Sequence, residues 1–244
     1  MQLSDRLQLV YGLVYRCNVL ADIGCDHGYL PIALVGNKVA KSAIAMDINE
    51  GPLESAKENI LAYGLEHQIT TRLSDGLKEL KPNEAEVITI CGMGGKLMAR
   101  IIADSIEVAK TARCLVLEPQ SEFADLRMTL HELGFIIDAE AMVEESHKFY
   151  PVIRAIYLPK KAAKVELSSA QYKYGPKLIE DKNPVLLSYL RQQLNLYTRL
   201  FNQLDEQFPE GKDDGIKSIS VRAREEEIAL ELAMIDEVQE LYYA

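Results

Sequence analysis

Short apolar runs alternate with segments of helical periodicity over the first 159 residues of the chain. Runs such as NVLADI are bounded by polar residues, which is typical of buried strands. Between these runs, apolar residues recur at every third or fourth position, which predicts amphipathic helices. Strands alternating with helices favour a mostly parallel, doubly wound α/β sheet. The pattern predicts strands at 18–23, 41–48, 69–75, 85–95 and 112–119, and helices at 7–15, 29–35, 49–65, 96–106 and 121–135.

Two further apolar segments, at 136–146 and 150–158, follow each other with no helical pattern between them. Antiparallel strands need only a short connection, whereas parallel strands need a crossover of a dozen or more residues. The two segments therefore predict an antiparallel strand pair at one end of the sheet.

The pattern changes after residue 159. Apolar positions recur at near-heptad spacing in 185–204 and at helical spacing in 216–243, on either side of the turn sequence FPEGKDDG. Two long helices around a short loop predict an α-helical hairpin, similar to a coiled coil. We therefore expect a first domain at 1–159 and a second, helical domain at 160–244.

Composition narrows the class of protein. The 244 residues are 48% hydrophobic and 26% charged, which is ordinary for a globular protein. No apolar run approaches the roughly 20 residues of a membrane helix, and the N-terminus lacks the pattern of a signal peptide. The four cysteines form no CxxC pair, and the four histidines form no HxxxH pattern. We therefore expect a cytoplasmic protein with free thiols, no membrane association and no metal site.

The turn after the first predicted strand carries the first chemical signal. Its pattern is D-x-G-x-x-x-G, formed by Asp22, Gly24 and Gly28, with a second acid at Asp26. Ligands of open parallel sheets bind beyond the carboxyl ends of the strands. The turn lacks the G-x-G-x-x-G that brings backbone against a pyrophosphate, and its acids would repel a diphosphate. They suit a cationic ligand such as S-adenosylmethionine, which carries a sulfonium and an amino group.

Acids also follow the next two predicted strands. Asp47 ends the second strand, where an acid typically holds ribose hydroxyls in this architecture. Asn49 is the better candidate for the cap of the following helix, which leaves Asp47 for the ligand. Asp75 follows the third strand, where a carboxylate can accept a hydrogen bond from an adenine amino group, although Asp-Gly is also a common turn. Three strand-end acids in succession strengthen the interpretation of a nucleoside-containing cofactor.

A glycine-rich loop, CGMGG, follows the fourth predicted strand and precedes a helix. Many methyltransferases place the loop for the methyl acceptor here. Enzymes acting on exocyclic amines of bases often carry Asn/Asp-Pro-Pro-aromatic at this point, and this chain does not, which indicates a different acceptor atom. Cys91 is expected to face the pocket, with no sign of an activated nucleophile.

Four segments together resemble the TrmK family of bacterial tRNA (adenine-N1)-methyltransferases. They are LADIGCDHGYLPIAL, AMDINEGPLESAKENI, ICGMGGKLMARII and LEPQSEFADLRMTLHELGFIIDAEAMVEESHKFYPVIRA. The resemblance implies a Rossmann-like class I methyltransferase sheet, S-adenosylmethionine as cofactor, and methylation of N1 of adenosine 22 in the D-arm region of tRNA. The residues expected to contact the cofactor are Asp22, Gly24, Cys25, His27, Gly28, Asp47, Ile48, Asp75, Gly76, Gly92, Met93 and Gly94.

Asp26 is the candidate catalytic residue. Adenine N1 has its own lone pair, so attack on the methyl group needs no prior deprotonation, but the base must first leave its stack. The methylated base is cationic, and a nearby carboxylate would stabilise that charge. A helix N-cap is the alternative role of Asp26. The candidate substrate contacts are Arg6, Tyr29, Lys148, Tyr150 and Arg154.

The net charge of −10 argues against a non-specific nucleic-acid binder, because such proteins are usually basic. Residues 160–182, however, hold six lysines against three acids. This lysine-rich segment is either a solvated surface or a local contact for tRNA. Its lysines are Lys160, Lys161, Lys164, Lys173, Lys177 and Lys182.

Other functions remain open at this stage. The sheet domain suits a methyltransferase for a small molecule or a protein, and also a non-catalytic scaffold that binds cofactor while the hairpin recruits partners. A dinucleotide oxidoreductase fits less well because the turn after the first strand is acidic. The sequence leaves open whether the protein is a monomer or a homodimer.

Overall fold

A computed structural model of the chain describes residues 2–207 and 219–243. The chain forms two compact units, Met1–Glu166 and Leu167–Ala244. The division falls seven residues beyond the predicted domain boundary at 159/160, because the short segment that follows the last strand belongs to the first unit.

The first unit is built on one seven-stranded sheet. In spatial order its strands are β3-β2-β1-β4-β5-β7-β6. Neighbouring strands among the first five pair in parallel, and β7 runs antiparallel between β5 and β6. This confirms the doubly wound α/β sheet and its closing antiparallel pair. The strands are Cys17–Ile23 (β1), Ala40–Asp47 (β2), Ile69–Leu73 (β3), Val87–Met93 (β4), Cys114–Pro119 (β5), Phe135–Glu145 (β6) and Lys148–Tyr157 (β7).

Helices cover both faces of this sheet, and each face buries its own apolar cluster. Strand β1 has its last four residues buried, as expected of a strand covered on both faces. The predicted helix at 96–106 is interrupted at Ser105. The backbone dihedral angles of Ser105 are not helical, and a second, short helix begins after it. The helices are Asp5–Leu13 (α1), Tyr29–Gly36 (α2), Glu50–Ala62 (α3), Gly95–Asp104 (α4), Ile106–Ala109 (α5), Phe123–Glu132 (α6) and Pro159–Ala162 (α7).

The second unit is helical. It contains Ser169–Tyr174 (α8), Pro176–Glu180 (α9), Pro184–Gln207 (α10) and Ile219–Tyr243 (α11). The Tyr242 hydroxyl, near the end of α11, donates to the carbonyl of Asn183, just ahead of α10, at 3.0 Å. The two long helices are therefore antiparallel, as predicted. The predicted turn FPEGKDDG lies outside the described residues, and the coiled-coil character of the pair stays a prediction.

The core of the helical unit uses the apolar positions that the sequence pattern marked. Leu186 and Leu190 of α10 are fully buried, as are Ile228 and Ile235 of α11. An ion pair between Lys173 and Glu231 connects the short helix α8 to α11. Within the part of the chain that the structure describes, no helix is both long and apolar enough to cross a membrane.

Candidate active site

A cleft of about 590 Å³ opens at the carboxyl ends of β1, β2, β3 and β4. Its position follows from the parallel arrangement, because all four strands end at the same edge of the sheet. Its walls combine acidic, aromatic, basic and apolar side chains. The lining residues are Arg6, Leu7, Asp22, Ile23, Gly24, Cys25, Asp26, His27, Tyr29, Leu30, Asp47, Ile48, Asn49, Ser74, Asp75, Gly76, Cys91, Gly92, Met93, Leu97, Arg100, Ile101 and Gln120.

Asp22 is the buried acid at the base of the cleft. It is 4% exposed, and the hydroxyl of Thr89 on β4 donates to its Oδ1 at 2.5 Å. Burial raises the pKa of Asp22 to about 6; the Thr89 hydrogen bond opposes this rise, and the charge of Asp47 adds to it. A cation beside this buried carboxylate would stabilise its charged form. The site therefore fits the positively charged end of S-adenosylmethionine.

Asp47 joins two loops of the cleft. Its Oδ1 accepts the backbone N–H of Asn49 at 2.9 Å, and its Oδ2 faces the backbone N–H of Asp26 at 3.5 Å. Asn49 stands at the N-cap of α3 without a side-chain capping bond. A carboxylate offers about four lone-pair sites, so Asp47 retains acceptors for the hydroxyls of a ribose.

Asp75 lies at the exposed end of the cleft. Its Oδ2 accepts from the Lys78 ammonium at 2.5 Å, and this hydrogen bond lowers the pKa of Asp75. The carboxylate is therefore charged at neutral pH and remains open to solvent. Gly76 beside it has a φ of +63°, and a Cβ there would come within 2.9 Å of Ile101. The absence of a side chain at Gly76 keeps this end of the cleft open.

The end of β4 and the start of α4 are held in place by hydrogen bonds from the backbone N–H groups of two glycines. The N–H of Gly92 donates to the Glu118 carboxylate at 2.8 Å, and the N–H of Gly95 donates to the carbonyl of Ser121 at 2.9 Å. Met93 extends over Gly24, where an added Cβ would lie 2.3 Å from the methionine methyl group. Burial raises the pKa of Cys91 well above its ordinary value, so its thiol stays neutral at pH 7.

Asp26 sits on the rim of the cleft with its carboxylate 72% exposed. Gly28 occupies the N-cap position of α2, and that position makes no side-chain capping bond, so the structure gives no support to the helix-cap role of Asp26. The Nε2 atom of His27 lies 3.6 Å from the Asp26 carboxylate. The rings of His27 and Tyr29 stack at 5.5 Å with an interplanar angle of 28°. A carboxylate and an aromatic pair thus stand side by side on the rim of the cleft.

Arg6 of α1 also lines the cleft. Its Nη1 donates to Glu118 at 3.2 Å, and its guanidinium lies 5.8 Å from the centre of the Tyr150 ring. Glu145 approaches the Arg6 Nε at 3.7 Å and accepts the backbone N–H of Asp5 at 2.8 Å. Two carboxylates therefore hold the guanidinium beside the cleft. Burial raises the pKa of Glu118, and the charge of Arg6 opposes this rise.

Two of the twelve predicted cofactor residues do not line the cleft. Gly28 packs against α3, where a Cβ would lie 3.2 Å from the Ala56 side chain. Gly94 serves as the N-cap of α4 and faces Ser121 and Glu122 instead. The other ten are Asp22, Gly24, Cys25, His27, Asp47, Ile48, Asp75, Gly76, Gly92 and Met93.

The predicted substrate contacts divide in the same way. Arg6 and Tyr29 line the cleft, and Tyr150 contacts Arg6 from outside it. Arg154 is held by Asp138 at 2.9 Å and packs over the Tyr15 ring, and neither it nor Lys148 reaches the cleft. The cleft-lining residues that the sequence interpretation missed are Leu7, Ile23, Leu30, Asn49, Ser74, Leu97, Arg100, Ile101 and Gln120. Gln120 had a usable signal, because it directly follows β5 and so lies at the same edge of the sheet.

The raised pKa of Asp22 gives the site an expected pH dependence. Above pH 6 the carboxylate is charged and attracts a cationic ligand, whereas protonation at lower pH removes this attraction. We expect the dissociation constant of S-adenosylmethionine to rise about tenfold per pH unit below pH 6. Calorimetric titration between pH 5 and pH 8 measures it. The Asp22→Asn variant is the control and should show a weaker affinity that varies little over this range; an equal pH response in both proteins would contradict the assignment.

The doubly wound sheet, with acids at or just beyond the ends of three successive strands and glycines around the end of the fourth, is typical of the class of S-adenosylmethionine-dependent methyltransferases. A family model for tRNA (adenine(22)-N(1))-methyltransferases, TrmK, matches residues 20–232. The chain therefore belongs to the TrmK family.

Individual relatives agree with this assignment. The tRNA (adenine(22)-N(1))-methyltransferase of Bacillus subtilis is 36% identical over 207 residues, which cover 84% of this chain and 87% of the relative. The Streptococcus pneumoniae protein Sp1610, crystallised with S-adenosyl-L-methionine, has a TM-score of 0.79 at 32% identity and covers 97% of this chain and 99% of its own. TrmK of M. capricolum, in complex with S-adenosyl-homocysteine, has a TM-score of 0.75 at 29% identity, covering 96% and 100%.

Proposed function

We propose that the protein transfers a methyl group from S-adenosylmethionine to N1 of adenosine 22 in tRNA. The observation that carries this function is the cleft itself, in which strand-end acids suited to a cationic nucleoside cofactor meet an exposed carboxylate and an aromatic pair. The family match over residues 20–232 supplies the acceptor. We also propose that the protein acts in the cytoplasm, which the proposed tRNA substrate supports.

The residues of the cleft fit S-adenosylmethionine. Asp22 would hold the cationic amino-acid end, Asp47 the ribose hydroxyls, and Asp75 the adenine amino group. When bound, the cofactor supplies an electrophilic methyl group. Gly24 and Gly76 are required on the two sides of the site. Both have a positive φ, and an added Cβ would collide with Met93 at Gly24 and with Ile101 at Gly76.

Asp26 would stabilise the positive charge that the adenine gains. Adenine N1 attacks with its own lone pair, so no base is required, and the charge is shared with the exocyclic amino group. A carboxylate is an acceptor for that amino group and a counter-ion for the ring. The carboxylate of Asp26 is exposed in the free protein, and a base entering the cleft would displace its water and strengthen this interaction.

Tyr29 would support the face of the target base. The Tyr29 side chain is 41% exposed and stacks on His27, which gives the rim an aromatic surface. Unstacked bases of RNA bind such surfaces readily. Arg6 also lines the cleft, where its positive charge suits a phosphate of the flipped nucleotide.

The test of this function is transfer of labelled methyl groups from S-adenosylmethionine to tRNA transcripts. The protein should label a transcript with adenosine at position 22, and should not label the same transcript with uridine there. Labelling of both transcripts to the same extent would contradict the acceptor site. Cofactor binding without labelling of any tRNA would contradict the tRNA substrate and favour another acceptor or a non-catalytic role.

The lysine-rich segment gives a separate prediction about tRNA binding. Lys160 and Lys161 of α7 are exposed, and we expect them to contact phosphates. Reversing both charges (K160E/K161E) should raise the KM for tRNA about tenfold and lower the slope of log affinity against log salt by about 2. The matched control reverses Lys38 and Lys41, two exposed lysines beside the amino end of β2 that lie outside the lysine-rich segment. Equal effects of the two double variants would leave the segment as a solvated surface.

A further inference from the structure

Gln120 presents an uncharged amide to the acceptor side of the cleft. It follows the last residue of β5, lines the cleft and is exposed. Its backbone N–H donates to the carbonyl of Met93 at 2.9 Å, which fixes its position relative to the loop after β4. Among the residues that the structure describes, its side-chain amide has no hydrogen-bond partner. An amide whose backbone is held in place and whose side chain makes no hydrogen bond, in the lining of a cleft, is available to a ligand.

The reaction determines which edge of the target base is left for the protein to bind. Adenine N1 must face the methyl group, so the Watson–Crick edge is turned towards the cofactor. The Hoogsteen edge, with N7 as acceptor and the N6 amino group as donor, then faces away from it. A glutamine amide matches this edge, because its carbonyl accepts from N6 and its NH₂ donates to N7.

We infer that Gln120 determines specificity by binding N6 and N7 of the target adenine, which rests on the proposed function. Guanine would present two acceptors, O6 and N7, at this edge. Either orientation of the amide would then set its carbonyl oxygen against one of them. Gln120 would therefore hold adenine in register for attack by N1 and disfavour guanine in the same position.

Of the two polar side chains near Gly92, Gln120 is better placed than Arg6 to bind the base edge. Its Nε2 lies 3.7 Å from the position of a Cβ built on Gly92, so the amide sits directly against the acceptor loop. The Nη1 of Arg6 lies 3.8 Å from the same position but donates to Glu118. The neighbouring guanidinium is thereby already engaged by a buried carboxylate, whereas the amide of Gln120 is not.

The experiment combines a change in the protein with a change of one atom in the substrate. Transcripts carry either adenosine or 7-deazaadenosine at position 22; the latter replaces N7 by a CH group and removes the acceptor. Gln120→Leu, which keeps the approximate size of the side chain but loses the amide, should lower kcat/KM for the adenosine transcript about tenfold, the upper range for one hydrogen bond. The ratio of kcat/KM for adenosine to kcat/KM for 7-deazaadenosine should be about tenfold higher in the wild-type protein than in Gln120→Leu.

Gln120→Glu supplies a second variant with an opposite expectation. Its carboxylate still accepts from N6 but faces the N7 lone pair, so 7-deazaadenosine should become the better substrate of the two. Affinity for S-adenosylmethionine should stay within twofold of wild type in both variants, which checks that the cleft is intact. The effect of 7-deazaadenosine on the basicity of N1 is common to all proteins and cancels in the comparison.

The outcomes separate this inference from the proposed function. If the wild-type protein methylates adenosine 22 and all three proteins respond equally to 7-deazaadenosine, the role of Gln120 is overturned while the function stands. If the wild-type protein methylates neither transcript, the proposed function fails and the inference fails with it. A loss of discrimination in Gln120→Leu, together with reversed preference in Gln120→Glu, supports the inference.

Discussion

Replacing Asp26 by alanine is expected to lower kcat for tRNA methylation about a hundredfold, while the dissociation constant of S-adenosylmethionine stays within about twofold. Loss of one preorganised group that stabilises developing charge typically costs this much or more. The Asp26 carboxylate is exposed and makes no capping bond to α2, so its removal should leave the fold intact. Single-turnover kinetics with saturating tRNA and cofactor isolates the chemical step.

Two further variants give this prediction its controls. Asp26→Asn keeps a hydrogen-bond acceptor for the adenine amino group but loses the charge, so its kcat should fall between those of the wild type and the alanine variant. Glu58→Ala removes an exposed carboxylate of α3 that does not line the cleft and should leave kcat unchanged. An Asp26→Ala protein that turns over at the wild-type rate would eliminate Asp26 as a catalytic residue.

Replacing Asp47 by asparagine should raise the dissociation constant of S-adenosylmethionine about a hundredfold. Hydrogen bonds to a charged group contribute about 1.5–3 kcal/mol each, and asparagine keeps one carbonyl acceptor but loses the charge and the second acceptor, a loss equivalent to about one such bond. The change also weakens the contact of Oδ1 with the Asn49 backbone, which positions one wall of the cleft. Isothermal titration measures the affinity, and a thermal melt of the unliganded protein separates lost binding from lost folding.

Asp236→Asn is the matched control for Asp47, because this exposed acid lies on α11 in the helical unit. It should bind cofactor as the wild type does. An Asp47→Asn protein that binds S-adenosylmethionine with wild-type affinity would show that Asp47 only joins the two loops and does not hold the ribose.

A larger share of the predicted cofactor residues than of the predicted substrate contacts lines the cleft. Asp22, Asp47 and Asp75 each end or directly follow an apolar run, and parallel strands bring such positions to one edge whatever the details of packing. Glu118 was missed because its role depends on contacts with Arg6 and Gly92, which lie 112 and 26 residues away in the chain. Local patterns carry no information about such distant partners.

The position of Arg154 and the short helices could not be predicted for similar reasons. Arg154 was a candidate substrate contact, but its position on β7 places it against Asp138 of the neighbouring strand and outside the cleft lining. Helices α8 and α9 have six and five residues, too few for an apolar period to show. The long helices α10 and α11 were predicted because their periods extend over several turns.

The negative net charge of this protein does not conflict with a tRNA substrate, because the charges are unevenly distributed. In the proposed function, the acids at the strand ends would bind the cationic cofactor and Asp26 would face the cationic product, whereas Arg6 lines the cleft and exposed lysines follow β7. Net charge describes the whole surface and therefore indicates little about a site whose two ligands carry opposite charges.

The most direct test of the account is to identify the modified nucleoside and its position together. An unmodified tRNA transcript is incubated with the protein and S-adenosylmethionine, digested with a base-specific ribonuclease, and sequenced by mass spectrometry. The account predicts one methyl group, present as 1-methyladenosine at position 22. A methyl group on another atom or at another position, or none despite measurable cofactor binding, would contradict it.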